Sequence, residues 1–193
     1  MLGQPAKVLG GADVRRALRW VANSRHPERN AVMLQLSVKA GLRACEIARL
    51  TWRMVTDHRG RIATTIELPA RAAKKGSGRR IPMHPALKQA LTRLQGVTIV
   101  DPLASVVRSE RARPMTPDSV VNWFARLYAE LGLIGCSSHS GRRTFITHAA
   151  RLAGAAGGSL RDVQLLAGHR SLKTTQGYID GSEPAQRRLV HRL

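Results

Sequence analysis

The chain has 193 residues, enough for one domain or one domain with a small appendage. A hydrophobic content of 43 % supports a core and excludes wholesale disorder. Lys and Arg number 32 against 12 acids, and a balance of +20 points to a polyanion, with nucleic acid ahead of a general solubilising charge or a ribosomal-type role.

Residues 1–10 read as a tail. From Gly11 the pattern is helical, with Val14, Leu18 and Val21 on one face and Asp13 near the start. His26-Pro27 breaks the chain, and Pro27 opens a second helix over 28–40. Val32, Met33, Leu34, Leu36 and Val38 make that helix apolar nearly all round, so it is expected at the centre of the core, ending at Gly41. A short third helix, RACEIARL, turns Ile47, Ala48 and Leu50 inward. The period then changes. RIATTIEL (61–68) is β-branched and reads as a strand, RAAKKGSGRR as a basic turn and RRIPM (79–83) as the returning strand of an antiparallel hairpin. A helix follows over 85–94, then a poorly patterned stretch in which 97–100 reads as a short strand. Thr116-Pro117 pairs a hydroxyl cap with proline at the first helical position. Val120, Phe124, Leu127 and Leu131 form its apolar stripe, and Gly132 ends it. Another helix runs from His139 to Leu152. Ser159-x-x-Asp162 reads as a capping box for a helix ending at Gly168. Ser171 caps a short helix reaching Tyr178, and a last helix spans 183–192. The expected class is mainly α with a small antiparallel β-sheet (α+β).

Cys45 and Cys136 lie far apart in no CxxC arrangement, which excludes a disulfide framework and a cysteine zinc site and fits a reducing cytoplasmic compartment, at the nucleoid for a DNA-bound protein. No apolar run reaches membrane-spanning length, and MLGQPAKVLGG lacks the apolar stretch of a signal peptide. The aspartates Asp57, Asp101, Asp118, Asp162 and Asp180 are scattered, so neither a bound metal nor another cofactor is expected.

Several residues carry chemistry. His139 and Arg142, at i and i+3, share a helical face; Arg offers a planar fork of donors to phosphate oxygens, and His donates or moves a proton. Taken alone, the pair is better read as a surface His beside a DNA-contacting Arg. Arg43 sits at a helix N-terminus that already favours an anion, with Glu46 three residues on, either holding it or making an ordinary exposed ion pair. Arg71, Lys74, Lys75, Arg79 and Arg80 lie within ten residues without an acid, a basic tongue suited to phosphate contacts, one of whose lysines is also placed to protonate a leaving oxygen. His169 fits a capping or packing histidine, and Tyr178 a half-buried packing residue.

The order of these pieces is more specific than any one of them. GLRACEIARL, a basic hairpin, HSGRR and LLAGHRSLKTTQGY resemble the tyrosine recombinases, the phage-integrase family, over about residues 11–180. The likeness is most specific at the C-terminal end. There Leu-Leu-(small)-Gly-His, Ser171, the Thr174-Thr175 pair and Tyr178 fall at the family's spacing.

The resemblance implies a tyrosine recombinase catalytic domain over 11–180, with 181–193 a helical segment docking on a neighbouring subunit or on its own domain. Arg43, Arg142, His139 and His169 would be catalytic, Lys74 (alternatively Lys75) the hairpin lysine, Glu46 the support of Arg43, and Tyr178 the nucleophile. Arg71, Lys75, Arg79, Arg80, Arg143, Arg170 and Lys173 would contact DNA. The implied activity is site-specific recombination of double-stranded DNA through a covalent 3′-phosphotyrosine, without ATP, by a homotetramer on two sites, with an accessory DNA-bending protein as a possible partner. Relaxation of a single duplex, as in type IB topoisomerases, and a catalytically idle DNA-binding regulator are the alternatives. Ser140 and Gly141 depart from the family's usual residues; lying between contact residues, they are expected to matter little. About ten residues precede the domain where most of the family carries a helical clamp, as expected of a naturally short member or a fragment.

Overall fold

The computed structural model describes residues 6–73, 76–98, 100–179, 187, 190 and 191. Helix α1 (Gly11–Ala22) is followed by α2 (Pro27–Ala40) and α3 (Ala44–Ala48), and a 3₁₀ turn at Trp52–Met54 leads to the hairpin β1 (Thr65–Leu68) and β2 (Arg79–Pro82). Then come α4 (Pro85–Gly96), α5 (Pro117–Glu130), α6 (Ser140–Leu152), α7 (Leu160–Ala167) and α8 (Leu172–Gln176). The result is a mostly helical domain with one two-stranded antiparallel sheet.

Helix α2 is the axis of the core, as its apolar pattern requires. Val32, Met33, Leu34 and Leu36 are fully buried, and α1, α4 and α6 pack around it. The sequence signals at the ends hold. Pro27 opens α2, Gly41 closes it in the left-handed conformation, and Thr116 Oγ1 accepts the Ser119 amide at 3.1 Å to start α5. At the start of α7 the backbone N–H and the hydroxyl of Ser159 both donate to Asp162 Oδ2 at 2.8 Å. Beside the main core lies a smaller one, in which Ile146 of α6 meets Val163 and Ala167 of α7, with Phe145, Leu160 and Tyr178 packed against them.

Three expectations are corrected. The strand expected over 61–68 begins only at Thr65. Ile62 bridges back to Thr56 and the Ala63 amide bonds to Val55 O, so the preceding loop claims the first half. No strand forms at 97–98, because the amides of Val97 and Thr98 bond to Leu94 and Gln95 and wind down α4; Ile99 lies outside the described residues. Ser140 and Gly141 are not mere spacers. Ser140 is fully buried with Oγ accepting the Ser137 amide at 3.0 Å, and a Cβ at Gly141 would fall on Ser37 Oγ of α2. Of the expected 183–192 helix, Arg187 and Val190 are helical, His191 is a turn whose amide bonds to Arg187 O, and the other residues lie outside those described, as do most of segment 181–193 and the tail before residue 6.

Gly141 therefore sets how closely α6 approaches α2. Helix propensity alone would favour Gly141→Ala by about 1 kcal/mol. The clash reverses the sign: the variant is expected to lose about 1–3 kcal/mol, seen as a fall in melting temperature, and a rise would show that the two helices are not in this contact.

Candidate active site

Arg43 is the N-cap of α3, placed there by the chain reversal after Gly41. Its amide donates to Glu46 Oε2 at 2.9 Å and its Nη1 to Oε1 at 3.0 Å. Glu46 is fully buried, not an exposed helical pair. From the other side Arg79 grips the same carboxylate as a fork, Nη1 to Oε1 and Nη2 to Oε2, each at 3.0 Å. Burial alone would raise this carboxyl; the Arg79 and Arg43 contacts outweigh it and bring it down to about 2.

Arg142, in the first turn of α6, is 2 % exposed. Nη1 donates to Gly41 O at 2.6 Å and Nη2 to Ala167 O at 2.7 Å, with His169 Nε2 3.0 Å from Nη2. One side chain thus ties the end of α2 to the end of α7. Burial first, then the Arg43 charge, lower its pKa to about 10, so it stays charged at neutral pH.

His169 directly follows the left-handed Gly168 that ends α7. It is 8 % exposed. An arginine can only donate, so Nε2 is the acceptor and the ring proton sits on Nδ1, which donates to Thr175 Oγ1 at 3.0 Å. Burial, then the charges of Arg142, Arg43 and Arg79, lower His169 to about 4, which keeps the imidazole neutral at pH 7. Gln164 brackets its backbone, accepting from the His169 amide at 3.1 Å and donating to its carbonyl at 2.9 Å.

Tyr178 is half-buried two residues beyond α8. Its ring stacks on His169 with centroids 5.4 Å apart and planes at 26°. The Arg143 guanidinium lies over the same ring, 5.6 Å from its centroid. Thr147 Oγ1 holds the Tyr178 carbonyl at 3.2 Å, and the Tyr178 amide bonds to Thr175 O at 3.1 Å. His139 is exposed at the N-cap of α6, with the Ser138 hydroxyl 3.5 Å from Nδ1. It stands at the head of the helix rather than on its face, so His139 and Arg142 do not form one exposed pair.

The structure thus gathers Arg43, Glu46, Arg142, His169 and Tyr178. Arg71, Arg170 and Lys173 are exposed, and Arg80 is exposed with Nε 2.8 Å from Glu67 Oε1 across the hairpin. Lys74 and Lys75 lie outside the described residues. Arg79 is the correction: expected to face DNA, its side chain is 5 % exposed and turned onto Glu46. Period 2 in β2 puts Arg79 on the same face as buried Ile81, a signal present in the sequence. Thr147, Gln164 and the tautomer-fixing role of Thr175 carried no local signal, since each is defined by a partner that folding brings near.

Glu46 is where pH and stability meet. A carboxyl held below its ordinary value of 4.5 contributes stability that is fully present above that value and lost as pH falls through about 2. Glu46→Gln leaves two arginines facing an uncharged amide and is expected to cost about 3–5 kcal/mol at pH 7. The gap in thermal stability between wild type and variant should shrink as pH falls below 4.5; a gap independent of pH would mean the carboxylate is not charged in the folded protein.

A family model described as the phage integrase family matches residues 7–183. The chain is 33 % identical over 162 residues to the tyrosine recombinase XerC of Rhizobium meliloti, covering 82 % of this chain and 46 % of that protein. It is 32 % identical over 162 residues to XerD of Vibrio vulnificus, covering 78 % and 48 %. It therefore spans about half the length of the curated relatives it matches. The fold superposes on the Tn1549 transposon integrase in complex with a circular intermediate DNA (TM-score 0.74, 22 % identity, 100 % of this chain and 67 % of that one). It also superposes on a lambda integrase tetramer bound to a Holliday junction (TM-score 0.68, 20 % identity, 94 % and 51 %). With the family match reaching from before α1 to beyond Tyr178, the chain belongs to the phage integrase family.

Proposed function

We propose that the chain breaks and rejoins double-stranded DNA at specific sites, with Tyr178 as nucleophile. The observation that carries this reading is an excess of buried positive charge beside a tyrosine. Arg43, Arg79 and Arg142 surround a single carboxylate, Glu46, and the two that flank Arg142 lower its pKa. Uncompensated charge of this kind awaits an anion, and a phosphodiester supplies one. The similarity to tyrosine recombinases and the DNA complexes among the similar structures support DNA as that anion.

In this mechanism the Tyr178 oxygen attacks the scissile phosphorus, the bond to the 5′ oxygen breaks, and the 3′ phosphate is left on the tyrosine. Arg43 and Arg142 stabilise the charge on the non-bridging oxygens, where fixed donors act most strongly. The phenolic proton passes to His139. His169 is a poor base, because its Nε2 lone pair is committed to Arg142 and its pKa is about 4; its place is to hold Arg142 and the tyrosine ring. Lys74 or Lys75 delivers the proton to the departing 5′ oxygen. The covalent intermediate keeps the energy of the phosphodiester, so a second 5′ hydroxyl reverses the step without ATP. Exchange between two duplexes requires four protomers on two sites, a reading supported by the lambda integrase tetramer bound to a Holliday junction. Arg71, Lys75, Arg80, Arg143, Arg170 and Lys173 are the proposed DNA contacts.

The test is a nicked duplex carrying the target site, on which rejoining is blocked. A protein–DNA adduct that survives denaturation, with release of a 5′ hydroxyl, is expected. Cleavage that leaves no adduct would replace this mechanism with hydrolysis.

A further inference from the structure

Arg79 belongs by sequence to the basic hairpin but by structure to the floor of the site. Its backbone is held in the sheet opposite Leu68, and its side chain runs inward. Besides its fork on Glu46, Nε donates to Leu166 O at 2.9 Å, and Nη1 reaches Ser77 O at 3.4 Å. Leu166 O and Ala167 O are among the last carbonyls of α7, which have no partner within the helix. Arg79 takes the first and Arg142 the second, so two guanidiniums close the helix end just before His169. Gly168 leaves room for this: a Cβ there would stand 3.0 Å from Arg79 Cδ and Nη1.

We infer that Arg79 is a positioning residue whose guanidinium sets the spacing between the two halves of the site, the Arg43–Glu46 pair on α3 and the His169 segment after α7. It rests on the strand-cleavage reading for its kinetic consequence but not for its geometry. A planar fork is what the role demands. Glu46 and Leu166 O lie on different elements, and one rigid group spans them with parallel bonds to the carboxylate and a third bond to the carbonyl. Lysine supplies the charge as a single point and cannot hold both.

The experiment compares wild type, Arg79→Lys, Arg79→Met and the double variant Arg79→Met with Glu46→Gln. Three quantities are measured: the single-turnover rate of adduct formation on a nicked target duplex, the affinity for that duplex, and the titration of the His169 imidazole by NMR without DNA. Arg79→Lys is expected to hold affinity within about threefold, because the side chain is 5 % exposed and engaged by Glu46 and Leu166 O, and to slow cleavage about 10²-fold, the scale of a misplacement of about 1 Å. Its His169 titration should also move, although the charge count is unchanged. A Lys variant with wild-type rate and wild-type His169 titration overturns the proposal, since charge alone would then suffice. Parallel losses of affinity and rate also overturn it, by making Arg79 a DNA contact. Should both single variants unfold, the double variant, which removes the buried carboxylate and its partner together, is compared with Glu46→Gln alone; equal cleavage by the two folded proteins overturns the proposal, and slower cleavage by the double variant upholds it. If wild type forms no adduct, the strand-cleavage reading fails, while the His169 titration in Arg79→Lys still decides the positioning role.

Discussion

Tyr178→Phe is expected to fold, bind DNA with unchanged affinity and form no covalent adduct at any pH. The substitution removes one oxygen and leaves the rest of the residue's environment in place. The phenyl ring retains the stack on His169 and its place under the Arg143 guanidinium. The backbone bonds to Thr175 and Thr147 do not involve the side chain. Loss of activity in a folded, DNA-bound variant therefore reports the nucleophile itself. The chain has a second tyrosine, Tyr128, and burial disqualifies it. It is 2 % exposed within α5, stacked on Phe124, and burial pushes its phenol well above the ordinary value. A denaturing gel on the nicked duplex decides the matter. An adduct formed by Tyr178→Phe would remove Tyr178 from its assignment and with it the spacing argument from His169.

Much of this site is legible in the sequence because its pieces lie next to structural punctuation. Arg43 follows the glycine that ends α2, His139 caps α6, and His169 follows the glycine that ends α7. Helix ends are written locally, in glycines, prolines and capping side chains, so residues placed at them are readable. What cannot be read is burial and partnership across distance. Nothing near Glu46 in the chain distinguishes a buried carboxylate from an exposed helical pair; the distinction comes from Arg79, 33 positions away. The protonation of His169 follows from Arg142, 27 positions away, and Thr175, six away. Composition hides Arg79, because a run of basic residues has the same composition whether its members face out or in. Alternation in RRIP separates them, putting Arg79 with buried Ile81 and Arg80 with solvent, and here that local pattern outweighs the composition.

Arg142 is expected to show the largest effect among the charged residues, and its variants divide structure from chemistry. Arg142→Ala removes a charged donor from the place where the phosphoryl charge develops, a loss that costs about 10²–10³-fold in rate, or about 2.7–4 kcal/mol. It also orphans three buried acceptors, Gly41 O, Ala167 O and His169 Nε2. Leaving such a group unsatisfied costs about 1–3 kcal/mol, so a marked fall in melting temperature should accompany the kinetic loss. Arg142→Lys keeps the charge but cannot reach the ends of α2 and α7 together, and it should recover part of the stability with little of the rate. Affinity should change by only a few-fold in either variant, because Arg142 is 2 % exposed and the exposed basic residues carry the sequence-independent attraction. Single-turnover cleavage and equilibrium binding, measured on the same duplex, separate these terms. Equal losses in rate and affinity would reduce Arg142 to a phosphate anchor, and a fully active lysine variant would show that the bridge between α2 and α7 is not what holds the donor in place.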